Sequence, residues 1–169
     1  MNLTLFDLDH TLLPIDSDYS WGEFSLKIGW VDPASFKAKN DQFFADYQAG
    51  QLDIHEYVKF STEAVRLKGP ELAAQAHLQF MQEVVLPNIK PSALNLIKQH
   101  QDAGDHVMIV TATNEFVTRP IATALGVTEL IAVELARDSK GWINGEIFGT
   151  PSFKTGKVAR VEQWLSAQQ

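Results

Sequence analysis

The sequence contains no cysteine. Disulfides, thiolate zinc sites and cysteine nucleophiles are therefore excluded, and residue usage gives no sign of an oxidising compartment. Basic residues are in short supply: 14 Lys and Arg stand against 21 Asp and Glu, a formal charge of −7. A phosphate-backbone partner calls for a dense basic face, so no nucleic-acid partner is expected. Long uncharged apolar runs are missing as well, and Asp7 arrives before a signal-peptide stretch is complete. No membrane association is expected, and the cytoplasm is the expected compartment.

What is present is a globular composition, with 45% hydrophobic and 21% charged residues in 169. That length suits one domain, or a core carrying an insertion. Asn2 to Phe6 reads NLTLF, a short buried strand closed by Asp7. From Asp16 to about Lys90 the text is helical, with segments around residues 19–28, 36–47, 54–65 and 72–85. They are separated at Gly29, Asp32-Pro33, Gly50, Gly69-Pro70 and Pro87. After Pro91 come a helix over 92–101, a stop at Gly104, a strand over 106–111, a helix over 115–125 and a strand over 130–134. Such alternation predicts a parallel sheet with crossover helices. Lys140-Gly141 and Asn144-Gly145 flank a small hairpin or flap, and a last helix spans 154–165.

The stretch FDLDHTLLP, residues 6–14, sets Asp7 and Asp9 one residue apart at the end of the first strand. Ligands of open parallel sheets collect beyond the carboxyl ends of the strands, where Asp7 and Thr111 are both expected. Two carboxylates leaving a strand divide work well: one holds a hard cation and attacks, the other moves a proton. They also suit a plain helix cap or turn. Thr111 by itself is an ordinary strand-end threonine, and His10 reads as a loop residue with no proton-transfer role. Trp21, Phe43, Phe44 and Tyr47 read first as core of the helical region. GTPSFKTGK, residues 149–157, echoes a nucleotide-binding loop, but six residues separate its glycines and Val158 stands where a hydroxyl is needed. That motif is rejected.

FDLDHTL, then IVTAT, then GKV within FKTGKVARV, in that order around a helical insertion, resemble the three motifs of the haloacid dehalogenase superfamily of phosphohydrolases. DSDYSWGEF after the first motif and ATNEFVTRPIA after the second are similar to its subgroup of phosphoserine phosphatase and a histidinol-phosphate phosphatase branch. The resemblance implies an α/β fold, a Rossmann-like parallel-sheet core over 1–14 and 91–169 with an all-helical cap inserted over 15–90. It further implies a Mg²⁺-dependent phosphomonoesterase acting on a small phosphorylated metabolite, phosphoserine- or histidinol-phosphate-like. Asp7 would be the nucleophile that becomes an aspartyl-phosphate, and Asp7 and Asp9 would hold the metal. Asp9 would be the general acid and base, Thr111 would bind a phosphoryl oxygen, and Lys157, preferred over Lys154 because it follows Gly156, would neutralise charge. Thr11 would steady the loop. With Thr11, the residues Asp16, Asp18, Trp21, Ala112 and Asn114 fall where substrate contacts are implied, and the two acids suit a substrate ammonium.

Members of that family carry a fourth motif, an acidic pair ending a further strand. After Lys157 the remaining carboxylate here is Glu162, on the last predicted helix. The expectation is of a truncated or interrupted form whose sheet is incomplete at its C-terminal end. Weak metal binding and impaired turnover would follow. NLTLF would lie on an exposed sheet edge through which the chain self-associates. The alternative function is a catalytically impaired or non-catalytic binder of phosphate compounds. A phosphorylation-switched receiver module is disfavoured, since its phospho-accepting aspartate ends a middle strand and its fold has no place for the helical insertion.

Overall fold

A computed structural model describes residues 2–168. Met1 and Gln169, the outer ends of the bounds read from the sequence, lie outside the described residues. Strand β1 (Leu3–Phe6) is followed by a helical region: α1 (Ser17–Lys27), α2 (Pro33–Gln48), α3 (Ile54–Ser61), α4 (Glu63–Lys68) and α5 (Pro70–Phe80). The chain then alternates through α6 (Pro91–Asp102), β2 (His106–Asn114), α7 (Glu115–Ala124) and β3 (Glu129–Val133). It closes with the hairpin β4 (Leu135–Arg137) and β5 (Ile143–Ile147) and with α8 (Thr155–Ala167). The sheet is parallel in the order β1-β2-β3, with Leu5 opposite Met108 and Ile109 opposite Leu130.

Period-two alternation in β2 sorts its side chains between two apolar clusters. Val107 and Ile109 join the large core with Ile97 of α6 and Val117 and Ile121 of α7. Met108 and Val110 turn to the other face with Ile131, where Val161 and Trp164 of α8 cover them. The sheet is thus sandwiched, and the carboxyl ends of β1 and β2 emerge under the helical region.

The helix boundaries follow from capping chemistry. Asp16, Asp32 and Asp53 accept backbone N–H groups at the starts of α1, α2 and α3. The expected single helix over 54–65 is instead two. The Thr62 hydroxyl donates to the Val58 carbonyl at 2.6 Å, competing with the backbone ladder at the break. The expected helix over 72–85 ends at Phe80 and widens into a π-helical turn at Met81–Val85 and a 3₁₀ turn at Leu86–Asn88. Pro87 brings no backbone N–H with which to continue an α-helix. Strand β2 runs three residues beyond Thr111, to Asn114, with an irregular register against β3 between Val110 and Asn114.

Candidate active site

Asp7 leaves β1 with its carboxylate half exposed; its Oδ1 accepts the Leu8 N–H at 2.9 Å and lies 3.2 Å from Lys157 Nζ. Lys157 sits in the first turn of α8, and Gly156 before it explains how it gets there. A β-carbon at 156 would stand 2.0 Å from the Pro151 carbonyl oxygen, so only glycine lets the helix start so close to the loop. Lys154, the competing lysine, turns the other way and donates to the Gly50 carbonyl at 2.6 Å.

Asp9 is held from two sides. Its Oδ1 accepts the Ser17 N–H at 2.7 Å, and its Oδ2 accepts the Thr113 hydroxyl at 2.9 Å. Burial and then repulsion from Asp16 raise its carboxyl above the ordinary value, against the opposing pull of Ser17 and Thr113. Thr111 is buried, and its carbonyl accepts the Ser152 hydroxyl at 2.6 Å. Asp7, Asp9, Thr111, Ala112, Thr113 and Lys157 line one cavity of about 270 Å³. The helical region closes it with Asp16, Asp18, Tyr19, Asn40, Phe43, Phe44, Tyr47 and Tyr57.

Three of the residues implied as substrate contacts lie outside the cavity lining. Trp21 is 2% exposed and away from the cavity, stacked on His77 at 5.5 Å and edge-on to Phe80 and Phe116, because a large apolar ring on α1 is worth more buried. Asn114 is buried as the cap of α7, its side chain accepting the Val117 N–H. Thr11 is exposed in the turn after Asp9, its N–H donated to the Leu8 carbonyl, and does not reach the cavity. Phe43, Phe44 and Tyr47, read first as core, line the cavity instead. Thr113, Asn40 and Tyr57 were missed. For Thr113 the signal was available: on a strand, residues two apart share a face, so a threonine beside the site at 111 brings 113 with it.

Among the described residues no three His, Asp or Glu side chains converge to ligate a metal by themselves. The donors that are present nonetheless suit a hard cation. Asp7 keeps one carboxylate oxygen clear of the Lys157 contact, and a magnesium ion commonly takes only one or two carboxylates, with water and substrate phosphate supplying the rest.

The sequence pattern of haloacid dehalogenase-like hydrolases matches residues 4–169. The chain belongs to that family. This hydrolase is 41% identical over 165 residues to a histidinol-phosphatase of Neisseria meningitidis serogroup C (strain 8013), an alignment covering 98% of this chain and 74% of the relative. A crystal structure of a protein of unknown function from Bordetella pertussis Tohama I superposes with a TM-score of 0.91 at 43% identity, covering 99% of this chain and 75% of that one. A substrate-bound phosphoserine phosphatase shares the fold at a TM-score of 0.67 and 16% identity, covering 99% of this chain and 71% of that one. The α/β class and the phosphatase type of this hydrolase accord with the reading of its motifs.

Proposed function

We propose that the protein is a Mg²⁺-dependent phosphomonoesterase that cleaves a small phosphorylated metabolite, phosphoserine- or histidinol-phosphate-like, through an aspartyl-phosphate on Asp7. The contact between Asp7 Oδ1 and Lys157 Nζ at 3.2 Å carries the reading, because it puts a nucleophile and a fixed cation on one cavity wall. Asp7 attacks phosphorus as the ester P–O bond breaks, and Asp9 gives its proton to the departing alkoxide. The raised affinity of Asp9 for a proton suits the donor role. Asp9 then takes a proton from water, whose oxygen attacks the acyl-phosphate, releasing inorganic phosphate and restoring Asp7. Thr111 steadies a phosphoryl oxygen, Lys157 balances the charge that builds there, and Thr113 keeps Asp9 aimed. Asp7 and Asp9 would hold the magnesium ion, which supplies charge neutralisation at the phosphoryl oxygens.

A second reading, binding of phosphate compounds without turnover, is favoured by the lack of a third converging acid among the described residues. Phosphate release from p-nitrophenyl phosphate separates the two. The expected result is release that requires Mg²⁺ and falls by about 10³-fold or more in Asp7→Asn. Binding without release supports the second reading, and equal release by Asp7→Asn removes the covalent mechanism.

A further inference from the structure

Lys157 brings the fixed cation to the cavity, yet the helix that carries it is weakly fixed by burial. Among the described residues none of α8 is fully buried, and Val161 and Trp164 rest only partly buried on the sheet. The helix also starts under strain. Lys154, the residue before it, has φ 51°, a left-handed backbone uncommon for lysine, and its side chain does not cap the helix. Something besides apolar packing must hold this start in place. Arg160 follows Lys157 by three residues, which puts both on neighbouring positions of one helix face. Its side chain is 13% exposed. Nη1 donates to the Thr150 carbonyl at 2.9 Å and to the Ala132 carbonyl at 3.4 Å, and Nη2 donates to the Glu134 carboxylate. One planar fork thus joins three segments: the end of β3, the loop before α8, and α8 itself.

We propose that Arg160 is a positioning residue for phosphoryl transfer: by clasping Thr150, Ala132 and Glu134 it fixes the first turn of α8, and with it the reach of Lys157 to Asp7. The proposal rests on the phosphomonoesterase reading above and adds what holds that site's cation in place. Arg160 does not line the cavity, so it acts through Lys157 and not on the substrate. The loop over 150–153 transmits the restraint. Arg160 holds it at Thr150, the Ser152 hydroxyl holds it to the Thr111 carbonyl at 2.6 Å, and the Pro151 carbonyl lies against Gly156, the residue before Lys157. Without the guanidinium, the Thr150 carbonyl loses its donor and Glu134 its cation, and α8 is free to settle elsewhere on the sheet. A lysine at 160 keeps the charge, but a single ammonium cannot span two carbonyls and a carboxylate as the fork does.

Steady-state hydrolysis of p-nitrophenyl phosphate with Mg²⁺ tests this on the unaltered chain, Arg160→Met and Arg160→Lys, each assayed well below its own melting temperature so that unfolding does not enter. Lys157 balances charge that builds as the phosphoryl group transfers, so the loss is expected in kcat more than in KM. In Arg160→Met kcat is expected to fall by about tenfold or more, with KM within about threefold of the unaltered value. Arg160→Lys, the milder change, is expected to lose about fivefold in kcat, and it decides the matter where Arg160→Met does not fold. An unchanged kcat in the folded variants, whatever their melting temperatures, assigns Arg160 to stability alone and overturns the proposal while leaving the phosphatase reading in place. Absence of release by the unaltered chain overturns the phosphatase reading instead. Calorimetric titration with inorganic phosphate then decides the positioning role: binding weaker by about fivefold in Arg160→Lys supports it, and equal affinities overturn it.

Discussion

Asp18 shows at the scale of one residue how a site is bought with stability. Burial, then repulsion from Asp16, push its carboxyl from 3.8 to about 7. Below pH 4 the group is protonated whether the chain is folded or unfolded, and it imposes no penalty. Between pH 4 and 7 the unfolded chain gives up the proton first, so stability falls as pH rises through that window and stays reduced above it. The full effect is on the order of 4 kcal/mol before structural relaxation reduces it. Asp18→Asn is therefore expected to melt at a higher temperature than the wild type at pH 8, with the difference shrinking towards pH 4. Thermal unfolding followed by circular dichroism across that range checks it, and a difference that grows on acidification would contradict the assigned cause.

The start of α8 does at the scale of an element what no single side chain does. Three features meet there: Gly156 packed on the Pro151 carbonyl, the Gly156 N–H donated to the Phe153 carbonyl at 2.9 Å, and Lys157 delivered to Asp7. Gly156→Ala forces a β-carbon into that carbonyl, so the helix start must move and the lysine with it. The expected losses are about 1–3 kcal/mol of stability and about 100-fold in kcat/KM, since misplacing a charge by an ångström is enough for the latter. Measuring both on the same preparation separates displacement of Lys157 from general unfolding. Beside this helix start, Lys154 and Phe153 reach the helical region at Gly50 and Tyr47, tying the cavity's two walls together.

At the scale of the whole molecule the sheet order among the described residues leaves β1 on one edge, with Leu5 46% exposed. An edge strand with an apolar side chain and open backbone groups is a template for pairing. Sedimentation velocity over a range of concentrations is expected to show self-association that Leu5→Lys weakens, because a charge on the edge disfavours strand addition. Monomeric behaviour of both proteins at every concentration would remove the edge as an interface. No helix among the described residues is long and apolar enough to cross a membrane.

The parts of the fold and site that were legible in the sequence are those encoded by neighbours in the chain. Asp7 and Asp9 follow an apolar strand, Thr111 lies in another, and Lys157 follows a glycine at a helix start, so local pattern and motif order were enough to gather them. Strand, helix and hairpin positions in the α/β part were legible for the same reason. The helices of the inserted region were legible as segments too, but their packing was not, because nothing in the chain says which way each is rolled. Trp21 and Phe43 look alike as text, yet packing against His77 and Phe80 buries the first and leaves the second lining the cavity. Asn114 likewise looks like a ligand contact until the helix it caps is seen. Residues fixed by spacing along the backbone were thus determined by the sequence alone. Those whose place depends on helix rotation and on what is packed across a 270 Å³ cavity, Asn40 and Tyr57 among them, were decided only when the chain closed on itself.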